Sequence, residues 1–263
     1  MTPTSLTDGA CSILNTAAPE EKVALSHRVA ALWRAGTLDI LGTMRPPERP
    51  ARPARPELMS PRDMPRRRHA GSDGNRIALL HAIAHIELNA IDLAWDLIAR
   101  FGASDLPRDF FDDWVEVADQ EAKHHAMVSA RLNELGAAYG DFPAHDGLWE
   151  AAQATAHDLL ARLAVVPLVL EARGLDVTPD MIARLERGGD HASVAVLQVI
   201  YDEEIGHVAA GRRWFEWECA RRDAEPVSTW RDLVARYYGG SPKPPFNVAA
   251  RNAAGIDPAF YAS

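Results

Sequence analysis

The sequence predicts an all-α protein, a four-helix bundle with an extended Pro/Arg-rich N-terminal arm and extra flanking helices. Three observations predict it. Apolar residues recur at helical spacing over four segments of roughly 25–33 residues, well above the ordinary helix length. No stretch alternates apolar and polar residues over strand length. The four segments are separated by turns bearing Gly and Pro. The longest of these, "AAYGDFPAHDG", is the kind of connection a bundle crossover needs.

Taken in order, "TAAPEEKVALSHRVAALWRAG" reads as the first helix. Thr16 offers a cap, Pro19 and the following glutamates suit the first turn, and Gly36 suits the end. The arm follows, from Met44 to Arg68. Eight Arg stand there against Glu48, Glu57 and Asp63, so the segment is +5 while the chain as a whole is −9. Its prolines forbid a helix and favour extended chain. Such an arm either wraps over the protein and ties it down through arginines, or offers RNA or another polyanion a landing strip. Arg66, Arg67 and Arg68 form its densest cluster.

Beyond the arm, the first long helix opens after Ser72 or Asp73 and ends near Gly102. The second runs from about Pro107 to Gly136. The third is expected from about Trp149 to Arg173, with Gly174 as its stop, and a short helix follows Thr178 and Pro179. The fourth runs from near Asp190 to about Arg222, and "STWRDLVARYY" is a last helix before a turn-rich tail. This divides the chain into an N-terminal helical segment (1–43), the arm (44–71), the bundle (72–225) and a C-terminal helix with tail (226–263).

Composition narrows the class. The hydrophobic share of 47% can build a sizeable core, and no run of 18 or more apolar residues calls for a membrane span. The start, "MTPTSLTDGACS", has no secretory pattern, and Cys11 and Cys219 have neither metal nor redox spacing. A cytoplasmic protein with no membrane partner is expected.

Four glutamates break the apolar stripes of the long helices. Residues three and four away share a helix face. Around Glu87 these are Ile83, Ala84, Ala90 and Ile91; around Glu121, Val117, Ala118, His124 and His125. Around Glu171 they are Pro167, Leu168, Gly174 and Leu175; around Glu204, Ile200, Tyr201, His207 and Val208. A buried carboxylate without a partner is costly and protonates instead. A shared metal site supplies the partner. Glu121 with His124, and Glu204 with His207, are Glu-x-x-His units that project both ligands from one face. Glu87 precedes the first unit's Glu by 34 residues, and Glu171 precedes the second's by 33. One such unit is common by chance; two, each preceded at nearly the same distance by a Glu in an apolar stripe, are not. Four carboxylates contribute −4, which two divalent ions neutralise. The expected metal ligands are therefore Glu87, Glu121, His124, Glu171, Glu204 and His207. The mixed oxygen and nitrogen set suits iron first and manganese second. The competing reading is buried salt bridges, which the absence of Lys and Arg among those neighbours weakens.

Other residues rank behind these. Glu203 and Tyr201 are expected beside the metals, Glu203 as hydrogen-bond partner of a ligand imidazole and Tyr201 on the metal-facing stripe. Gln120 occupies the place equivalent to Glu203. Pro167 should kink the third helix one turn before Glu171. His125 reads as a neighbour of the site, His81 and His85 as histidines on a different face, and His157 lies too far along its helix to join.

The phrases "HAIAHIELNAIDLAWDL", "FFDDWVEVADQEAKHH", "YGDFPAHDGLWEAA", "VPLVLEARGLDVTP", "VIYDEEIGHVAAG" and "PKPPFN" resemble the DUF455 family of ferritin-like bacterial proteins. The likeness spans about Ile77 to Asn247, and "RVAALWRAG" and "RPARPEL" also fit. It implies a ferritin-like four-helix bundle with a di-metal site, in which the Glu of each Glu-x-x-His unit bridges the ions. It implies no settled substrate. This chain departs from the family pattern at Glu203, where the family places Asp. A more distant likeness, resting on the two Glu-x-x-His units, is to di-iron tRNA hydroxylases that act on an isopentenyl-type adenosine. Two functions are expected in turn. The first is an oxygen-activating oxidoreductase of the hydroxylase type, using dioxygen and an electron donor on a small molecule or a modified nucleoside. The alternative is a non-catalytic metal-binding or redox-sensing protein on the same fold, with a relic scaffold as a third possibility.

Overall fold

Ser5 starts the first helix, α1 (Leu6–Leu14), by accepting the Asp8 N–H at 3.2 Å. The computed structural model describes residues 3–59, 63–64, 73–103 and 105–262. It is an all-α helical bundle whose chain divides into two units, Met1–Trp149 and Glu150–Ser263. Sequence patterning does not reveal α1. It is one short run, and six of its residues that face inward (Leu6, Ala10, Cys11, Ile13, Leu14 and Gly9) are too closely spaced to show a period.

In the first unit, α2 (Pro19–Arg34) opens on Pro19 at its first position, with Ala18 rather than Thr16 as the flanking residue. Gly36 beyond its end takes φ 68°, the left-handed conformation glycine tolerates. The two long helices are α3 (Asp73–Phe101) and α4 (Arg108–Glu134). They pack against each other, with α1 on α3 and α2 on α4. On α3 the buried stripe is Leu80, Ala84, Leu88, Ile91, Trp95 and Ile98. On α4 it is Phe111, Trp114, Ala118, Glu121, His125, Val128 and Leu132, steps of three and four throughout. Burying each Leu, Ile or Phe there contributes about 1.5–3 kcal/mol. By length and composition α3 could cross a membrane, but 67% of its most apolar 18-residue stretch is buried inside the protein.

Residues 44–59 of the arm are tied to this unit. Arg52 pairs with Asp92 and donates to Asn89 Oδ1 at 2.6 Å, while Lys22 reaches the same Asp92 from α2. Arg49 pairs with Asp146, and Arg100 donates to the Pro47 carbonyl at 3.0 Å. Two residues, Leu58–Met59 (β1), pair in parallel with Ala144–His145 (β2). Arg66, Arg67 and Arg68, on which the RNA expectation rests, lie outside the described residues.

The chain passes through α5 (Gly147–Ala154) into the second unit. Here the expected third helix is corrected at both ends. It does not begin at Trp149. Residues 155–158 break the track, and Asp158 caps a new helix, α6 (Leu159–Val165), by accepting the Leu160 N–H at 3.1 Å. Buried Arg162 holds the break by donating to the Ala152 carbonyl at 2.6 Å and to Thr155 Oγ1 at 3.0 Å. Nor does the helix stop at Gly174. A π-helical turn (Val166–Glu171) leads into α7 (Ala172–Arg187), which carries both Gly174 and Pro179 in its interior. One helical glycine costs only about 1 kcal/mol, less than the packing of α7 on the next helix supplies. That helix, α8 (His191–Arg221), is capped by Asp190 as expected. Then come α9 (Pro226–Tyr237), which packs on α6, α10 (Val248–Ala253), which packs on α7 and α8, and α11 (Pro258–Tyr261). The last two are not separable by pattern from the turn-rich tail.

Candidate metal centre

In the first unit Glu87 stands on α3 among buried Ile83, Ala84, Ala90 and Ile91, while Glu121 and His124 stand on α4. Because α3 packs on α4, the two interrupted stripes meet. His124 Nδ1 lies 3.3 Å from Glu87 Oε2 and 3.5 Å from Glu121 Oε2. The ligand atoms of the three residues all lie within 4.8 Å of one another, and all three residues are buried. Burial by itself would lower the His124 pKa. The bonds and charges of Glu121 and Glu87 outweigh it and push the imidazole up to about 10. Two buried carboxylates thus converge on one imidazole and favour positive charge between them. This is a buried carboxylate and imidazole group that can hold a metal ion.

In the second unit His207 Nδ1 lies 3.5 Å from Glu204 Oε1; His207 is buried and Glu204 half-buried. Glu171 is the last residue of the π turn and is half-buried. Pro167 explains the turn. It has no N–H to give to an α-helical carbonyl, so the helix widens there instead of breaking. The expected kink is therefore a π turn. Gly211 on α8 makes room for it. A Cβ at Gly211 would fall 2.3 Å from Pro167 Cβ and 2.6 Å from its Cγ. Gly211 is one turn past His207, and Pro167 is one turn before Glu171. This close approach of the two helical tracks thus lies within one turn of Glu171 and of His207. "Gly-four-after-His" carries no recognisable signal in a single sequence, so pattern reading misses this contact.

The remaining candidates separate cleanly. His125 turns away from the acid group and donates from Nδ1 to the Ala84 carbonyl at 2.9 Å; burial lowers its pKa. His85 is buried, bonded to Tyr139 Oη at 2.9 Å and to the His145 carbonyl at 3.0 Å. His81 accepts the Gly140 N–H at 2.9 Å and stacks on Tyr139. These three are core histidines. His157 bonds Tyr237 at 3.0 Å. Gln120 donates to Glu116 at 2.8 Å. Glu203 and Tyr201 are both half-buried on α8, and the Tyr201 hydroxyl accepts from Asn247 Nδ2 at 2.9 Å.

Residues 15–262 match the pattern of a family described as proteins of unknown function, DUF455. The chain belongs to the DUF455 family. An uncharacterized protein of Haemophilus influenzae is 43% identical to it over 209 residues, covering 78% of this chain and 72% of that protein. No solved structure matches the chain. Membership agrees with the resemblance read from the quoted phrases and, like it, brings no substrate.

Proposed function

We propose that this DUF455 protein is a ferritin-like dinuclear metal protein that oxidises an organic substrate with dioxygen. Glu87, Glu121, His124, Glu171, Glu204 and His207 would hold two ions, iron before manganese. The observation that carries the reading is the buried group in which Glu87 and Glu121 converge on one nitrogen of His124. The repeat of the same residue types at 34- and 33-residue spacing supports the second half, as does the charge balance of four carboxylates against two divalent ions.

A bound iron pair would supply dioxygen activation. The chain's own residues do the rest. The carboxylates fix the ions and hold their charge at a site that apolar Ile83, Ala84, Ile91, Val117 and Ala118 keep dry. Glu203 would orient a ligand imidazole through a hydrogen bond. The substrate would be a small organic molecule, or a modified nucleoside if the tRNA hydroxylase likeness extends to chemistry, and an external donor would supply electrons.

The test is iron per chain after anaerobic ferrous loading and desalting, for the parent and for Glu121→Gln, with circular dichroism to confirm that both fold. The parent should retain about two irons and the variant distinctly fewer. Equal or no retention sinks the ligand set. Oxygen uptake by the loaded parent then decides between functions. Uptake that rises when metabolite or nucleoside pools are added supports the oxidoreductase. Iron binding without such uptake leaves the non-catalytic metal-binding or redox-sensing role.

A further inference from the structure

The phrase "PKPPFN" and the segment after it have no part in the metal reading, yet they are fastened to both helical tracks of the second unit. Arg173 Nη1 donates to the carbonyls of Lys243 and Pro245 at 2.9 and 3.0 Å. Buried Arg251 forks onto Asp176, Nε at 2.8 Å and Nη2 at 2.7 Å, and Asp176 also accepts the Asn247 N–H at 2.9 Å. The Asn247 side chain is fully committed. Its Oδ1 accepts the Ala250 N–H at 3.2 Å and so caps α10. Its Nδ2 donates to the Leu175 carbonyl at 3.1 Å and to the Tyr201 hydroxyl at 2.9 Å.

That commitment settles a direction. With Oδ1 occupied by an N–H donor, the group facing Tyr201 must be the NH2. The phenol oxygen is therefore the acceptor, and its own proton points elsewhere. Tyr201 is one turn before Glu204 on α8. Leu175, whose carbonyl shares the Asn247 amide, is one turn after Glu171 on α7. Along the helix axes the Tyr201 backbone is thus about 4.5 Å from Glu204 and the Leu175 backbone about 6 Å from Glu171. Capping alone does not require an amide, since Asp or Ser caps as well. The second donor is what Asn adds.

We propose that Asn247 is a positioning residue for Tyr201. By giving its N–H to the phenol oxygen, it turns the Tyr201 O–H toward the Glu171 and Glu204 layer. There the phenol donates to an oxygen anion of the bound ligand, a carboxylate or its like. The inference rests on the metal reading for the ligand layer and on the Asn247 hydrogen bonds for the phenol oxygen being an acceptor.

The test places 3-fluorotyrosine at position 201 and records its fluorine spectrum in the parent, in Asn247→Asp and in Asn247→Ser. Both variants keep the α10 cap and remove the amide donor, so one of them can fail to fold without ending the experiment. Each is recorded metal-free, with manganese(II), and with manganese(II) plus acetate. The metal-free line should shift in both variants, because the phenol loses its donor. Manganese should broaden the parent line, and acetate should then shift it. Both effects should fall several-fold in the variants. An unchanged metal-free line overturns the role of Asn247. A parent line that bound manganese does not broaden, or that acetate does not move, overturns the placement of the phenol. A parent that retains no manganese counts against the metal reading instead, while the metal-free comparison still judges Asn247.

Discussion

Gly211→Ala asks whether α8 and the π turn approach as closely as the second half of the site requires. The added Cβ would sit 2.3 and 2.6 Å from two ring carbons of Pro167, and a proline ring cannot swing aside. Overpacking of this kind costs about 1–3 kcal/mol, and a rigid neighbour puts it near 3. Replacing a helical Gly by Ala returns about 1 kcal/mol. The net is a loss of about 2 kcal/mol, or a fall in Tm of about 4–8 °C for a chain of this size. Gly206 supplies the control. It lies on the same helix, is exposed, and has no neighbour within 4 Å of the place an added Cβ would take. Gly206→Ala should therefore stabilise by about 0.5–1 kcal/mol. Thermal unfolding of the two variants should move in opposite directions. Because Pro167 is one turn from Glu171, Gly211→Ala should also retain less iron than Gly206→Ala. If Gly211→Ala melts at or above the parent, the close approach is wrong, and with it the account of why a glycine follows His207.

Three further outcomes follow from the first unit. Burial, set against the bond to the His145 carbonyl, lowers the His85 pKa from 6.5 to about 4. A folded-state pKa below the unfolded one means that the unfolded chain binds the proton first. Stability from this group is thus complete above pH 6.5 and drains away between 6.5 and 4, by about 3 kcal/mol in all; urea titrations across that window should show the slope, and His85→Gln should flatten it. Asp92→Ala leaves Lys22 and Arg52 facing each other without their shared anion, and should cost about 3–5 kcal/mol, read as a lower urea midpoint at unchanged m. Arg52→Ala leaves the buried Lys22–Asp92 pair intact and should cost clearly less than Asp92→Ala in the same assay.

The long helices of this protein were legible because their stripes are long and their ends are marked. Asp190 caps α8, and Pro107 precedes α4, where the sequence placed those boundaries. The Glu87, Glu121 and His124 group was legible for a related reason: a charged residue on an apolar stripe is a local contradiction that only tertiary structure can resolve. The errors share a cause as well. Gly174 and Pro179 are local signals to stop, and the packing of α7 on α8 overrides both. Trp149 carries on the apolar pattern, but Arg162 and Asp158 end one helix and begin another through hydrogen bonds that leave no period behind. The role of Asn247 depends on partners 46 and 72 residues away, and separation of that kind is invisible to pattern reading.

The buried acid group also decides what metal removal should do. A small metal domain that lacks a core unfolds when chelated, because binding free energy is its folding free energy. Here α3 and α4 bury Leu80, Leu88, Trp95, Trp114 and Val128 beside the site, so their packing does not depend on an ion. The two carboxylates are not left bare either, since both face the His124 imidazole at 3.3 and 3.5 Å. Chelated protein should therefore keep its helical circular dichroism and its cooperative melt. Loading with free metal at about 100 times Kd should then raise stability by about 2.7 kcal/mol. A chelated protein that loses its cooperative melt would make the metal a structural requirement, and the stripes around Glu87 and Glu121 would then be too weak a core for the role given them here. A melt that loading does not move would mean the carboxylates and His124 prefer their proton, and the group would be an acid–imidazole knot rather than a metal centre.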